Sequence, residues 1–173
     1  MAAASHAARA TRVEWEHAVP ASLMPARQFD CWVLGSREDC ERDDPRAQAM
    51  MFDLHNLAPS VGQVNALRGN DRYADLPDNP GQFGACPAVD TQGEFEPSDC
   101  LKGDVARVWL YMSFRHGVAI PSDERDMFDQ WSVDDPVSPW EKQREARIFD
   151  HTFVHNPFVH RVTAESTGAC SWE

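Results

Sequence analysis

No stretch of the sequence approaches the run of about 20 apolar residues that a membrane-spanning helix needs, so no contact with a bilayer is expected. The N-terminal segment Met1 to Ala10 is alanine-rich but lacks the sustained Leu, Val and Ile centre of a secretory signal, and no signal peptide is read in it. There is no Cys-x-x-Cys pair, which argues against a structural zinc module. No repeat, low-complexity linker or heptad pattern divides or extends the chain. The expectation is therefore one domain over residues 1–173, with 1–11 disordered, and a monomer. Positive charge is also scarce. Against 28 Asp and Glu stand 16 Lys and Arg, a formal charge of −12, which is the wrong sign for holding nucleic acid by electrostatics alone. A bound divalent cation and a locally basic cleft can offset that total, because salt screens charges beyond about 10 Å.

What is present suits a soluble globular protein, with 42% hydrophobic and 25% charged residues. A domain of this size can bury roughly two-thirds of the surface that its unfolded chain exposes. Among the five cysteines, Cys31 and Cys40 enclose a short glycine-containing loop and read as a local disulfide, which implies an oxidising compartment. The odd count leaves at least one thiol without an internal partner.

Residues Thr11 to Trp15 alternate branched and polar side chains, predicting a strand that ends near Glu16 and His17. Ala49, Met50, Phe52, Leu54 and Leu57 follow the start signal Asp43-Asp44-Pro45 and predict a helix over 45–57. Val61, Val64 and Leu67 predict a second, short helix ending near Arg68-Gly69. Residues 70–99, dense in Gly, Pro, Asp and Asn, predict irregular loops with short strands at most. Three further helices are expected: one after Gly103 closed by His116-Gly117, one over Asp123 to Trp131, and one carrying Trp140, Ala146, Ile148 and Phe149. Trp109, Trp131 and Trp140 read as core residues.

Two groups of polar residues invite a chemical reading. Glu16 and His17 are adjacent, but neighbours on a strand point to opposite faces, and an isolated Glu-His pair is commonly a solvated Glu beside a satisfied His. The second group is Asp53-Leu54-His55-Asn56-Leu57 through Asn65. Taken together, Glu14-Trp15-Glu16-His17-Ala18-Val19-Pro20, the Cys31-Trp32 to Arg37-x-x-Cys40 loop, the 53–65 segment, Lys102-Gly103-Asp104-Val105-Ala106-Arg107, Asp135-Pro136-Val137-x-x-Trp140-Glu141-x-x-Arg144 and Asn156-Pro157-Phe158-Val159 strongly resemble the endonuclease I family. These are bacterial periplasmic and secreted nucleases. The likeness runs from about Arg12 to Val159 in the family's order, and several ordered motifs are far harder to obtain by chance than one.

The resemblance implies an α+β fold, mixed and mainly helical, built round a ββα-metal (His-Me finger-like) motif. It also implies sequence-nonspecific hydrolysis of DNA, and of RNA as a second substrate, to 5′-phosphate products, and a periplasmic or secreted location. The family's general base falls on His17, its metal ligands on Glu16 and Asn65, and its phosphate-binding arginine on Arg37. Such roles are chemically coherent. A neutral imidazole accepts a proton from water near neutral pH, and Mg²⁺ takes a carboxylate and an amide oxygen while keeping waters and substrate phosphate; Ca²⁺ or Mn²⁺ can substitute. An arginine fork suits a phosphate oxygen whose charge grows in the transition state.

Beyond these four, His55 and Asn56 are candidate orienting residues. Arg68, Arg72, Lys102 and Arg107 are candidate groove cations, against the bland reading that scattered cations decorate solvent faces. Cys86 with Cys100 is a pairing that sequence leaves open, with Cys170 a third contender. The family's longer N-terminal region has no counterpart before Glu14, which keeps in play a catalytically silent nuclease-like domain that binds nucleic acid or protein. The heavy acidity suggests adaptation to high salt.

Overall fold

The computed structural model describes residues 6–77 and 82–162. The chain begins with a 3-10 turn at Ala7–Arg9 and enters strand β1 (Val13–His17). Part of the segment expected to be disordered is therefore ordered, because Arg9 and Arg12 both pair with the Glu14 carboxylate. Two 3-10 turns and three short helices follow: α1 (Asp30–Val33), α2 (Arg37–Asp43) and α3 (Pro45–Met51). The Cys31–Cys40 disulfide is present and closes α1 onto α2, with the Cα atoms 5.0 Å apart.

The helix expected over 45–57 ends at Met51, and Leu57–Val61 form strand β2 instead. The cause is local. The Asp53 carboxylate accepts the His55 N–H at 2.9 Å, an Asx-type turn that competes with helix continuation. Phe52 and Leu54 are exposed, so their apolar spacing marks no buried helical face. β2 pairs antiparallel with β1, with His17 opposite Leu57 and Trp15 opposite Pro59. Pro59 is tolerated because this sheet has only two strands, so a prolyl nitrogen need not serve a second neighbour.

Helix α4 (Gly62–Arg68) starts directly after β2 and packs on both strands. A Cβ at Gly62 would lie 2.6 Å from Glu14 Oε1 and 2.8 Å from the Arg9 carbonyl, so only glycine lets the helix start this close to β1. The order β1, β2, α4 thus gives the two-strand-and-helix unit, with residues 18–56 inserted between the strands.

A small sheet of β3 (Arg72–Tyr73), β5 (Glu94–Glu96) and β4 (Val89–Asp90) comes next in the chain, ahead of the helical half. There, α5 (Asp99–His116) is the buried centre, and α6 (Ser122–Asp134) lies along it. Trp109 stacks on Phe128 at 5.2 Å, and Tyr73 meets Trp109 and Trp131 edge-on. α7 (Pro139–Thr152) opens with a capping box made by Ser138 and Glu141. α8 (Pro157–His160), capped by Asn156, completes the described chain. Trp140, expected in the core, is half exposed on α7 and lies near Arg144. The fold is therefore a mainly helical α+β single body, and none of its described helices is long and apolar enough to cross a membrane.

Cys86 is a free, exposed thiol, whereas Cys100 is disulfide-bonded. The Cys86–Cys100 pairing is thereby corrected. Cys170 lies outside the described residues.

Candidate active site

The geometry starts at the end of β1. After His17 the chain leaves the sheet, and its path is fixed by Asn56, a fully buried amide. Asn56 Oδ1 accepts the Val19 N–H at 2.7 Å while its Nδ2 donates to the Val19 carbonyl at 3.1 Å. One side chain satisfies both backbone groups of a segment that has left the ladder, so the orienting reading of Asn56 has a concrete basis.

His17 Nε2 lies 2.7 Å from the Met51 carbonyl oxygen. A carbonyl only accepts, so Nε2 carries the proton and the lone pair is left on Nδ1. Burial lowers the His17 pKa below the ordinary imidazole value. The Met51 hydrogen bond opposes that shift, and the positive charges of Arg37 and Arg68 reinforce it. The ring is thus held as a neutral base with a defined tautomer.

Glu16 is oriented by a residue with a different expected role. Arg68, itself buried, donates to Glu16 Oε1 at 2.5 Å, to the His17 and Ala18 carbonyls at 2.8 and 2.9 Å, and to the Asp71 carbonyl at 3.1 Å. Its guanidinium also lies over the Tyr73 ring at 4.7 Å. Burial raises the Glu16 pKa, against the pull of Arg68 toward the ionised form.

Asn65 sits mid-helix on α4, with Nδ2 donating to Glu14 Oε2 at 3.2 Å and reaching the Trp15 carbonyl at 3.5 Å. Because the amide nitrogen is turned to these acceptors, Oδ1 is the atom left to offer a cation. Arg37 is the first residue of α2, inside the disulfide loop, and its Nε meets Glu41 at 2.6 Å.

Glu16, His17, Arg37 and Asn65 all line one cleft of about 490 Å³, with Trp15, Trp32, Ser22 and Asn70 among the other walls. Trp15 is 71% exposed, so an indole stands open beside these polar groups. A carboxylate, an amide oxygen, a neutral imidazole and a guanidinium around one open volume can activate water, hold a hard cation and grip an anion.

The other sequence candidates divide differently. His55 is buried away from the cleft, bonded through Nε2 to the Val154 carbonyl at 3.1 Å and packed on Tyr111. Arg68 and Arg107 are corrected from groove cations to internal ones. Arg107 is buried and paired through two nitrogens with Glu141 at 2.8 and 2.7 Å. Arg72 is paired with Glu124, and Lys102 with Asp75, Glu96 and Asp99. Sequence reasoning missed three supports: the Met51 carbonyl, the Glu14 brace on Asn65 and the clamp by Arg68. The first has no side-chain signature. Glu14 stands in the Glu14-Trp15-Glu16-His17 motif, but nothing in the sequence pairs it with Asn65.

The endonuclease I family model matches residues 2–163. An extracellular deoxyribonuclease of Aeromonas hydrophila is 37% identical over 158 residues, covering 90% of this chain and 69% of that protein. Endonuclease-1 of Buchnera aphidicola is 37% identical, over 88% of this chain and 61% of its own length. A periplasmic deoxyribonuclease of Aeromonas hydrophila is 35% identical, over 88% and 65%.

Proposed function

The chain belongs to the endonuclease I family, a family of nucleases, and from that premise we propose that it is a metal-dependent, sequence-nonspecific endonuclease that hydrolyses DNA to 5′-phosphate products. The observation that carries this reading is the convergence of Glu16, His17, Arg37 and Asn65 on a single cleft. The deoxyribonuclease names of relatives that share up to 90% of the chain support DNA as substrate. RNA is a second substrate of the same chemistry, since contacts to phosphate alone carry no base information.

In this reading His17 Nδ1 takes a proton from the attacking water while the Met51 carbonyl holds Nε2–H and stabilises the ring as it becomes charged. Arg37 is aimed at a non-bridging phosphate oxygen and exchanges its Glu41 partner for it; the disulfide limits its travel. Glu16, oriented by Arg68, and Asn65, oriented by Glu14, supply the carboxylate and amide oxygens that would hold one Mg²⁺. The donor set is all oxygen with open positions, which fits Mg²⁺, with Ca²⁺ or Mn²⁺ as substitutes. An ion held by Glu16 and Asn65 would supply positive charge against the leaving 3′-oxygen. The open Trp15 ring, with the half-buried Trp32 beside it in the cleft wall, suits sugar or base faces flanking the scissile phosphate. The disulfide and the extracellular and periplasmic relatives support an exported location.

Plasmid DNA incubated with oxidised protein and Mg²⁺ is expected to be nicked and then linearised, with cutting abolished by chelator and by His17→Ala. Well-folded wild type that cuts neither DNA nor RNA with any of the three ions would replace this reading with that of a nuclease-like binding domain.

A further inference from the structure

At the junction of α7 and α8, a second polar cluster lies outside the cleft and takes no part in the chemistry above. Glu145 of α7 is buried, yet its carboxylate faces two imidazoles. His155 Nδ1 is 2.5 Å from Oε1, and His160 Nδ1 is 3.8 Å from Oε2. One ligand atom from each of the three residues lies within 4.8 Å of the others. The rings are pre-ordered. His155 stacks on His160 at 3.7 Å, and its other face lies flat on Phe149 at 3.8 Å with an interplanar angle of 2°.

We propose that Glu145, His155 and His160 form a binding site for a divalent transition metal ion, Zn²⁺ foremost, that ties α8 to α7. Two neutral imidazoles with one carboxylate are the donor set of many three-ligand zinc sites, and imidazole selects Zn²⁺, Ni²⁺ or Cu²⁺ over Mg²⁺ and Ca²⁺. Zinc–ligand bonds of about 2.0–2.2 Å set donor atoms about 3.3 Å apart, so His155 Nδ1 exchanges its hydrogen bond to Glu145 for the metal, and His160, half exposed at the end of α8, tilts off its stack to bring Nδ1 in. Glu145 and His160 also line an open cavity of about 290 Å³, which leaves room for water as the remaining ligand. The site closes the turn at residues 153–156. That turn also carries the Val154 carbonyl held by His55 and the Asn156 side chain bonded to the Arg107 carbonyl at 3.3 Å. Metal binding here would stiffen the seam between α5, α7 and the start of β2.

The test uses the full chain with Cys86→Ser and His17→Ala, which removes the free thiol and the cleft imidazole as rival soft donors. Chelator-treated protein is titrated calorimetrically and by thermal unfolding with Zn²⁺, Ni²⁺ and Mg²⁺ above the ordinary imidazole pKa. One equivalent of Zn²⁺ and a raised melting temperature are expected, with no such response to Mg²⁺. Adding His155→Ala and His160→Ala abolishes both. The milder His160→Asn, placed at an exposed position, covers the case of poor folding, and in the otherwise natural chain it leaves Mg²⁺-dependent DNA cleavage unchanged. No zinc response in the doubly substituted background, or one that survives loss of both histidines, overturns the proposal.

Discussion

At the scale of single residues, the arginine that most shapes the cleft is Arg68, which sequence reading places on the substrate side. Its position near the end of a short helix and its charge are all that the sequence offers, and both suit a groove cation. The residue is instead turned inward by three carbonyls and a carboxylate that converge only once β1, α4 and residue 71 are assembled. Arg68→Ala strands the Glu16 carboxylate in a poorly solvated place. Breaking a buried ion pair costs about 3–5 kcal/mol, and an unpaired, buried carboxylate takes up a proton more readily. The expected result is a urea midpoint lowered by a stability loss of that size, together with a higher Mg²⁺ concentration for half-maximal cleavage. Arg68→Lys keeps one charge but cannot reach all four acceptors, so it falls between. A folded Arg68→Lys protein with an unchanged Mg²⁺ requirement would count against the positioning role.

At the scale of elements, two contacts set measurable limits. The Cys31–Cys40 bridge closes a short loop that carries Arg37, and loop-closure entropy for that length gives about 2–3 kcal/mol of stabilisation. The Cys31→Ser, Cys40→Ser pair, which leaves the bridge at Cys100 intact, is expected to lower stability by that amount, and to raise KM for DNA more than it lowers kcat, because Arg37 loses its fixed footing. Equal activity of this variant and the wild type would separate Arg37 from the loop's order. Between α5 and α7, Asp104 lies beside the Arg107–Glu141 pair. Burial and the neighbouring Glu141 carboxylate push its pKa up to about 8. In the unfolded chain the same group loses its proton near 3.9. Between these values the folded state holds the extra proton, so stability falls as pH rises through that window. Asp104→Asn is expected to flatten that decline and to exceed wild type at pH above about 8 in urea unfolding. A parallel decline in both proteins would assign it elsewhere. Elements with a clear apolar period are legible in the sequence: α4, α5, α6 and α7 fall where Val64, Trp109, Trp131 and Ile148 place them. β2 was not, since its pairing with β1 is a contact across some 40 residues and its Pro59 reads as a breaker. The four cleft residues were legible only through motifs spread over the chain, because no local pattern says that Glu16 and Asn65 meet.

At the scale of the whole molecule, the charge of −12 and the pairing of basic residues with acidic ones bear on how DNA is held. Arg9 and Arg12 serve Glu14, Arg42 serves Asp39 and Asp43, and Arg72, Lys102 and Arg107 are each paired. Among the described residues near the cleft, Arg37, once it leaves Glu41, and Arg27, whose guanidinium lies 5.8 Å from the Trp32 ring, are the cations on offer to phosphate. Each phosphate neutralised contributes a slope of about −0.9 in log affinity against log salt. A double logarithmic plot of kcat/KM for duplex DNA against NaCl, at fixed Mg²⁺, is therefore expected to fall with a slope of only about −1 to −2. At the lowest salt the acidic surface repels the polyanion without screening, while at 0.1 M that repulsion fades beyond about 10 Å. The two effects oppose each other, so the rate should peak at moderate ionic strength and stay substantial where a basic nuclease has lost its substrate. This is the physical content of the high-salt reading of the composition. A slope steeper than about −4, with the fastest cleavage at the lowest salt, would mean that many more cations reach the backbone than these ion pairs leave available.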